Sequence, residues 1–531
     1  MTKKQDRRKN GIIDGAISLT LSTMVVKVLG LIYKIPLSHL LSDEGMGYFN
    51  SAYTVFALFY LLCTSGVPKA VMIIMTEYKE RGNYIDTKRI VNLAMKAFFI
   101  LGAVFSFILF VFAFPIAEII GNRNSAYTMM LIAPSIVFLS LGGVIRGALS
   151  VEMRMTEVSI AGIIEGVSRL VLGLVFAAIA TRLLLPIKIV SALTILGVTL
   201  GSFFSFLYLS LVNKSHKRDK KQGRTLEYQE RRVILKKIFS ISIPITLSAA
   251  VMSITNIIDL ILVMRGLERS GFSESVASAM YGNYTTLSVP MFNLASALIT
   301  PISIVFIPSF AKHIFNNDTA LQKSSLLDST RLVSFVAAPL SFGLLFFSEE
   351  ILTLLYGEES SSVGSYSLRL LVPAIVFSSL LLIVNSFLEA GRDARWPVIS
   401  MLCGAIVKIF LGCFLIPNPN YGINGAPIGT VVCYAVAFIV SSFILLIRRG
   451  HTLPIIKGCL VPYTAALLAV NISKFLYTRS QGSLNFVLSI LLHILIAGMI
   501  YLILLVFSGL LGKDKENLMA SFTKFREKNC Q

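Results

Sequence analysis

Apolar stretches of about 20 residues, the length that crosses a bilayer as a helix, follow one another from end to end of this chain. Few architectures accommodate that pattern. Of 531 residues 55% are hydrophobic and only 14% charged, with mean hydropathy +0.77. A water-soluble chain of this size has no interior large enough to hide so much apolar surface. Inside a bilayer every backbone polar group must be paired within the protein, which for such long stretches means helices. The expectation is an all-α polytopic membrane protein with about 14 transmembrane helices.

The loops give an independent reading. One alternate set is basic (Lys3 to Lys9, Lys79 to Arg89, Lys214 to Lys237, Lys312 to Lys323, Arg448 to Lys457, Lys513 to Lys528), whereas LSDEGMG, GEESSSVGS and PNPNYGING are poor in basic residues. Positive-inside topology then places both termini in the cytoplasm and requires an even number of spans. The formal charge of +20 is thereby accounted for by topology, which argues against a nucleic-acid partner. Six cysteines show no C-x-x-C pairing and five histidines no H-E-x-x-H, and a phosphate-binding G-x-x-x-x-G-K-[ST] loop is missing, so ATP hydrolysis and a metal site are not expected. The N-terminus MTKKQDRRKNG is basic like a signal peptide, but the apolar segment after it is too long and is expected to stay as a span.

That segment, ISLTLSTMVVKVLGLIYKIPLSHLL from Ile17 to Leu41, carries Lys27 and Lys34. Thr20, Thr23, Lys27, Gly30 and Lys34 recur at helical spacing and share one face. Lysines at such depth face a bundle interior or aqueous cavity, or snorkel to the headgroups. The segment is expected to wall a cationic cavity.

A polar stretch at 213–232 separates two related halves. PSIVFLSLGGVIRGALSVEMRMTEVSIAGIIEGVSRLVLG from Pro134 aligns without gaps with PAIVFSSLLLIVNSFLEAGRDARWPVISMLCGAIVKIFLG from Pro373, pairing Arg169 with Lys408 and Gly173 with Gly412. Tyr48, Pro68 and Lys79 likewise match Tyr281, Pro301 and Lys312. An even number of spans per copy makes this a parallel repeat. The expected organisation is a six-helix lobe at 1–212, a basic cytoplasmic linker at 213–232, a second six-helix lobe at 233–449, two appended spans at 450–511 and a basic tail at 512–531.

Further intramembrane polar residues complete the candidate set. Asp259 lies in span seven, with Ser253 and Asn256 on the same helical face, and is read as a gate partner for the lysines or a cation ligand. Glu165 and Arg169 are four apart and can pair along their helix, either as a structural tie or as a cavity contact. Lys408 lacks such a carboxylate and needs a partner from another helix. Arg146 lies in an IRGAL motif. Gly66, Pro68 and Pro301 interrupt helical hydrogen bonding and are hinge candidates.

KVLGLIYKIPLSHLLSDEGMGYF, SGVPKAVMIIMTEYKERGNY, IRGAL at 145–149, IIEGVSRLV and YGINGAPIGT at 421–430 together resemble the multidrug/oligosaccharidyl-lipid/polysaccharide exporter superfamily. The likeness is to its polysaccharide-flippase branch, which includes the MurJ-type lipid II flippases and the stage V sporulation protein B group. It implies a V-shaped pair of lobes that moves an undecaprenyl-pyrophosphate-linked glycan between leaflets of the bacterial cytoplasmic membrane, with the extra spans forming a groove for the lipid tail. It also implies that Lys27, in the V-L-G motif, contributes to a central cavity; the second basic position is Tyr33, with Lys34 beside it. Some relatives hold sodium in the second lobe, but the corresponding spans offer only one well-placed acid here, so no metal site or cofactor is expected beyond coupling to membrane potential or a monovalent cation.

The expected function is a non-enzymatic flippase of the lipid II type. Its partners would be the lipid-linked glycan, membrane lipids and cell-wall synthesis enzymes. Capsule, teichoic-acid and spore-cortex precursors remain alternative cargoes. A multidrug cation antiporter would want an acidic cavity and usually twelve spans; a membrane glycosyltransferase would want a large external loop.

Overall fold

A computed structural model describes residues 2–80, 87–152, 154–215, 228–391, 393, 395–480 and 485–508. All regular elements among them are helical. Of the expected linker, residues 216–227 lie outside the described residues, as does the tail 512–531. By contacts the chain forms two compact units, Met1–Thr286 and Leu287–Gln531.

The first unit contains α1 (Thr2–Thr64), α2 (Val67–Glu80), α3 (Thr87–Val111), α4 (Ala113–Ile120), α5 (Ala126–Ile132), α6 (Ser135–Val151), α7 (Met155–Arg182), α8 (Ile187–Ser215), α9 (Tyr228–Arg269) and α10 (Glu274–Asn283). α1 is two helices joined at a bend, since Ser42 has φ 57° and ψ 171°, outside helical geometry. That bend falls at the start of the SDEGMG run and divides the first two expected spans. The break between α1 and α2 falls at Ser65 and Gly66. α2 turns a stripe of Val67, Ala70, Val71, Ile74 and Met75 inward at three- and four-residue spacing. The stripe packs against Ile90, Val91, Ala94 and Phe98 of α3, Val144 and Ala148 of α6, and Ile234 and Ile238 of α9. An ion pair from Lys237 to Glu77 ties α9 to the same helix.

The second unit contains α11 (Val289–Phe315), α12 (Thr319–Phe346), α13 (Ser348–Tyr356), α14 (Glu358–Leu371), α15 (Pro373–Ala390), α16 (Arg395–Leu415), α17 (Gly425–Arg449), α18 (Ile455–Ser480) and α19 (Phe486–Phe507). The last pair is attached by small residues: Ala465, Ala466 and Ala469 of α18 meet Ala338 of α12, letting the backbones approach as membrane helices favour. Tyr501 of α19 donates its hydroxyl to the Phe335 carbonyl at 2.9 Å. Near the far end of α18, Lys474 pairs with Glu350 and lies 4.9 Å from the Phe347 ring centroid. Outward faces carry Leu491, Leu495, Leu502 and Val506 exposed, an arrangement that only lipid suits.

Eleven helices among the described residues are long and apolar enough to cross a membrane, or twelve if the bent pair Arg123–Ile132 and Ser135–Val151 is one span. The chain is a multi-pass membrane protein, but the expected fourteen crossings are not confirmed. The two expected crossings missing from that count, the first and the seventh, run through positions whose side chains lie outside the described residues, among them 23, 27 and 247–249.

Candidate functional site

Within the first unit three helices bring one carboxylate between two guanidinium groups. Arg146 of α6 donates from Nη2 to Glu165 Oε2 of α7 at 2.9 Å and to Ser205 Oγ of α8 at 3.1 Å. The Ser205 hydroxyl in turn donates to the Ala161 carbonyl at 2.9 Å, so its orientation is fixed from behind. Arg169, one turn along α7, reaches Glu165 Oε1 at 3.4 Å. The Glu165–Arg169 pair expected from spacing is therefore present, but the shorter contact runs to Arg146 on a different helix. Two cations share one anion, which leaves a net positive charge at the cluster. The Nε–H groups of Arg146 and Arg169 are both shielded and find no acceptor among the described residues. Shielded donors without partners are uncommon in folded proteins.

Beside the cluster runs an aromatic ladder that sequence reasoning did not single out. Phe49, Tyr53, Phe56 and Tyr60 recur every three or four residues and so line one face of α1, with successive centroids 6.3, 5.7 and 5.9 Å apart. Tyr33 meets the top of the ladder edge-on at Phe49, 6.2 Å between centroids. Tyr33, Tyr53 and Tyr60 all lie within electrostatic reach of Arg169. The ladder was legible as F-x-x-x-Y-x-x-F-x-x-x-Y; its placement beside arginines was not.

Lys34 is drawn elsewhere. Its ammonium donates to the Thr285 carbonyl at 3.1 Å, in the π-helical turn Tyr284–Ser288 that follows α10. Such turns re-aim backbone carbonyls and recur at functional sites. Around it α1 and α10 are joined by a polar seam: Asn50 Nδ2 donates to Thr286 Oγ1 at 2.9 Å, Asn283 Nδ2 to Asp43 Oδ2 at 3.2 Å, and Asn122 Nδ2 to Ser51 Oγ at 3.0 Å and Ser278 Oγ at 3.3 Å. The helices approach so closely that a Cβ on Gly47 would strike the Ser278 carbonyl, and one on Gly282 the Asp43 carbonyl.

The remaining candidates are placed as follows. The side chains of Thr23 and Lys27 lie outside the described residues, on a backbone that is helical. Asp259 is near enough to the Tyr281 hydroxyl to act on it electrostatically. Asn256 is exposed while Ser253, three residues earlier, is buried, so the two do not present a common lining. Lys408 belongs to the second unit, where its stem passes 3.4 Å from a would-be Cβ on Gly429. Gly66 sits in the break between α1 and α2, packed on the Ser242 carbonyl of α9. Pro68 opens α2 against Gly147, whereas Pro301 lies inside α11, which continues through it.

The family described as "Polysaccharide biosynthesis protein" matches residues 12–314. The chain belongs to that family. This polysaccharide biosynthesis protein is 23% identical over 517 residues to stage V sporulation protein B of Bacillus subtilis (strain 168), covering 96% of this chain and 97% of that one. It is 20% identical over 521 residues to the lipid II flippase MurJ of the same organism, covering 92% and 94%. Its structure superposes on that of the lipid II flippase MurJ in an inward closed conformation with TM-score 0.69 at 17% identity, covering 94% of this chain and 99% of the other. The fold is thus that of the multidrug/oligosaccharidyl-lipid/polysaccharide exporters, in the polysaccharide-flippase branch, as the sequence motifs led one to expect.

Proposed function

We propose that this protein moves a polyprenyl-pyrophosphate-linked glycan, lipid II first among the candidates, from the inner to the outer leaflet of the bacterial cytoplasmic membrane. It acts as a transporter and not as an enzyme. Both termini are cytoplasmic, and the two six-helix halves at 1–212 and 233–449 alternate in exposing the site, with 450–511 flanking the lipid tail.

One observation carries the reading. Arg146 and Arg169 share Glu165 inside the helical bundle, retain a net positive charge and keep two shielded donors without acceptors. A carboxylate-neutralised pair would suffice to tie helices together; a surplus cation with spare donors is what an anion requires. Guanidinium groups suit phosphate oxygens through their forked donors, while Lys27 and Lys34 supply point charges from which a pyrophosphate is readily released. Taking a pyrophosphate through hydrocarbon unpaired would be prohibitive. The tyrosine faces of Tyr53 and Tyr60 offer flat, amphipathic surfaces for the sugar beside it. Outward movement of the anion is favoured by a negative interior, at about 2.3 kcal/mol per charge per 100 mV.

The test is the accessibility of lipid II on the outer surface of cells depleted of this protein and of any redundant flippase. Wild type, Lys27→Ala and Arg146→Ala are returned separately with expression matched. Loss on depletion and recovery by wild type alone support both cargo and site. Unchanged lipid II export sinks the cargo assignment and makes another polyprenyl-linked glycan the first candidate. Full rescue by both variants leaves a flippase whose cation site lies elsewhere.

A further inference from the structure

The chain has one tryptophan, Trp396, and it sits where three span ends meet. α15 ends at Ala390, α16 begins at Arg395 and α17 ends at Arg449. Two consecutive arginines at the end of α17 have different partners. Arg449 turns to the connecting loop, donating from Nη2 to the Gly391 carbonyl at 2.5 Å and to Asp393 Oδ2 at 2.7 Å. That contact neutralises the loop acid and fixes the start of α16 against the end of α17. Arg448 lies over the Trp396 ring, 5.0 Å from its centroid, and Arg395 lies 5.4 Å from the same centroid. Both arginines are exposed, and neither has a carboxylate partner among the described residues.

Each guanidinium is attracted to the ring face, but holding two like charges beside one indole also brings them into repulsion. The arrangement is favourable without qualification only when an anion lies between them. The first turn of α16 adds the partial positive charge of a helix start. The Trp396 Nε1–H is turned inward and shielded, so the contacts offered to an incoming anion are those of the two exposed arginines.

We propose that Arg395, Trp396 and Arg448 form a binding site for the phosphate headgroup of an anionic phospholipid of the phosphatidylglycerol class. The occupant follows from the position and the charge. An indole at the mouth of three apolar helices is at headgroup depth, the usual station of tryptophan in membrane proteins. Basic pockets between helix ends on the cytoplasmic side take anionic headgroups. Asp393, the acid that would otherwise cancel the charge, is already engaged by Arg449. The inference does not rest on the cargo reading.

Because Trp396 is the sole tryptophan, its fluorescence reports on this site alone. Full-length protein is reconstituted in phosphatidylcholine vesicles with a fixed minor fraction replaced by dibrominated phosphatidylglycerol, or by the same fraction of dibrominated phosphatidylcholine. At about 1 kcal/mol per arginine, two arginines enrich the anionic lipid about thirtyfold at the site, so phosphatidylglycerol quenches far more than its mole fraction allows. The comparison is made first on the unaltered chain, so it does not depend on any variant folding. In Arg395→Gln/Arg448→Gln the excess disappears while quenching by phosphatidylcholine is unchanged. Equal quenching of the unaltered protein by the two lipids reduces Trp396 to an ordinary interfacial anchor and overturns the proposal. So does an excess that survives in the double variant, since that would come from diffuse surface charge.

Discussion

The pairing of Glu165 can be weighed, because its two partners compete on different geometric terms. Spacing alone favours Arg169, four residues along the same helix, where such pairs contribute about 0.3–0.5 kcal/mol. At 3.4 Å that contact is longer than a charge-assisted hydrogen bond ordinarily is. Arg146 approaches from α6 at 2.9 Å and is held by Ser205 as well. A hydrogen bond to a charged group is worth about 1.5–3 kcal/mol. The side chains are 26% and 17% exposed, so partial screening brings the expected coupling toward about 2 kcal/mol. Double-mutant cycles with Glu165→Gln, Arg146→Gln and Arg169→Gln separate the two couplings. Read as thermal midpoints of the purified chain, at about 2–4 °C per kcal/mol for a unit of this size, the Arg146 coupling should be about 4–8 °C and the Arg169 coupling about 1 °C. Glu165→Gln alone should be the most damaging single change, at about 3–5 kcal/mol, because it leaves two arginines without an anion. Equal couplings, or a larger one to Arg169, would refute the claim that the cross-helix contact dominates.

Other perturbations follow from the same structure. Lys34→Met leaves the Thr285 carbonyl without its donor and should lower stability by about 1–3 kcal/mol, seen as a lower midpoint together with loss of glycan export. Gly47→Ala places a methyl against the Ser278 carbonyl and should cost about 1–3 kcal/mol by overpacking; Gly162→Ala, with nothing within 4 Å of its Cβ, should stay within about 0.5 kcal/mol. His451, in the loop before α18, is held below its ordinary pKa by burial, with Lys323 and Arg449 adding to the effect. The folded chain therefore binds fewer protons than the unfolded one as pH falls through about 6.5, and stability that is full above that pH should decline below it. His451→Gln should flatten that part of the midpoint-against-pH curve, and an unchanged slope would exclude this histidine as its source.

Much of the fold was legible because bilayer chemistry acts on composition. Runs long enough to span and loops of alternating charge are properties of linear order, and they led to a helical multi-pass membrane protein. The first and seventh crossings read as apolar spans despite Lys27, Lys34, Asn256 and Asp259, but parts of both lie outside the described residues, so the count of fourteen is not confirmed. The bend at Ser42 is invisible in a residue type that more often sits in ordinary conformations. The π-helical turn at YTTLS has no local signal either, since it arises where α10 continues into α11.

The choice of partner is where sequence logic stops. Helical periodicity states which residues share a face; it does not state which helix that face meets. Glu165 was matched to Arg169 because one helix was all that spacing could address, and Arg146 entered only when α6 and α7 were brought side by side. Lys34 shows the same limit in the opposite direction. A lysine in an apolar span implies an acceptor, and an anionic cargo is one answer, yet the acceptor found is a backbone carbonyl released by an irregular turn. That carbonyl is neutral, so it satisfies one donor of the ammonium without cancelling its charge. A lysine held in this way keeps its full attraction for an anion while its position is fixed. Loss of export in Lys34→Met therefore gains meaning from Lys34→Arg, which preserves the charge but not the compact donor. Export retained in Lys34→Arg would make charge the requirement, and export lost in both would make it the link between α1 and the turn after α10.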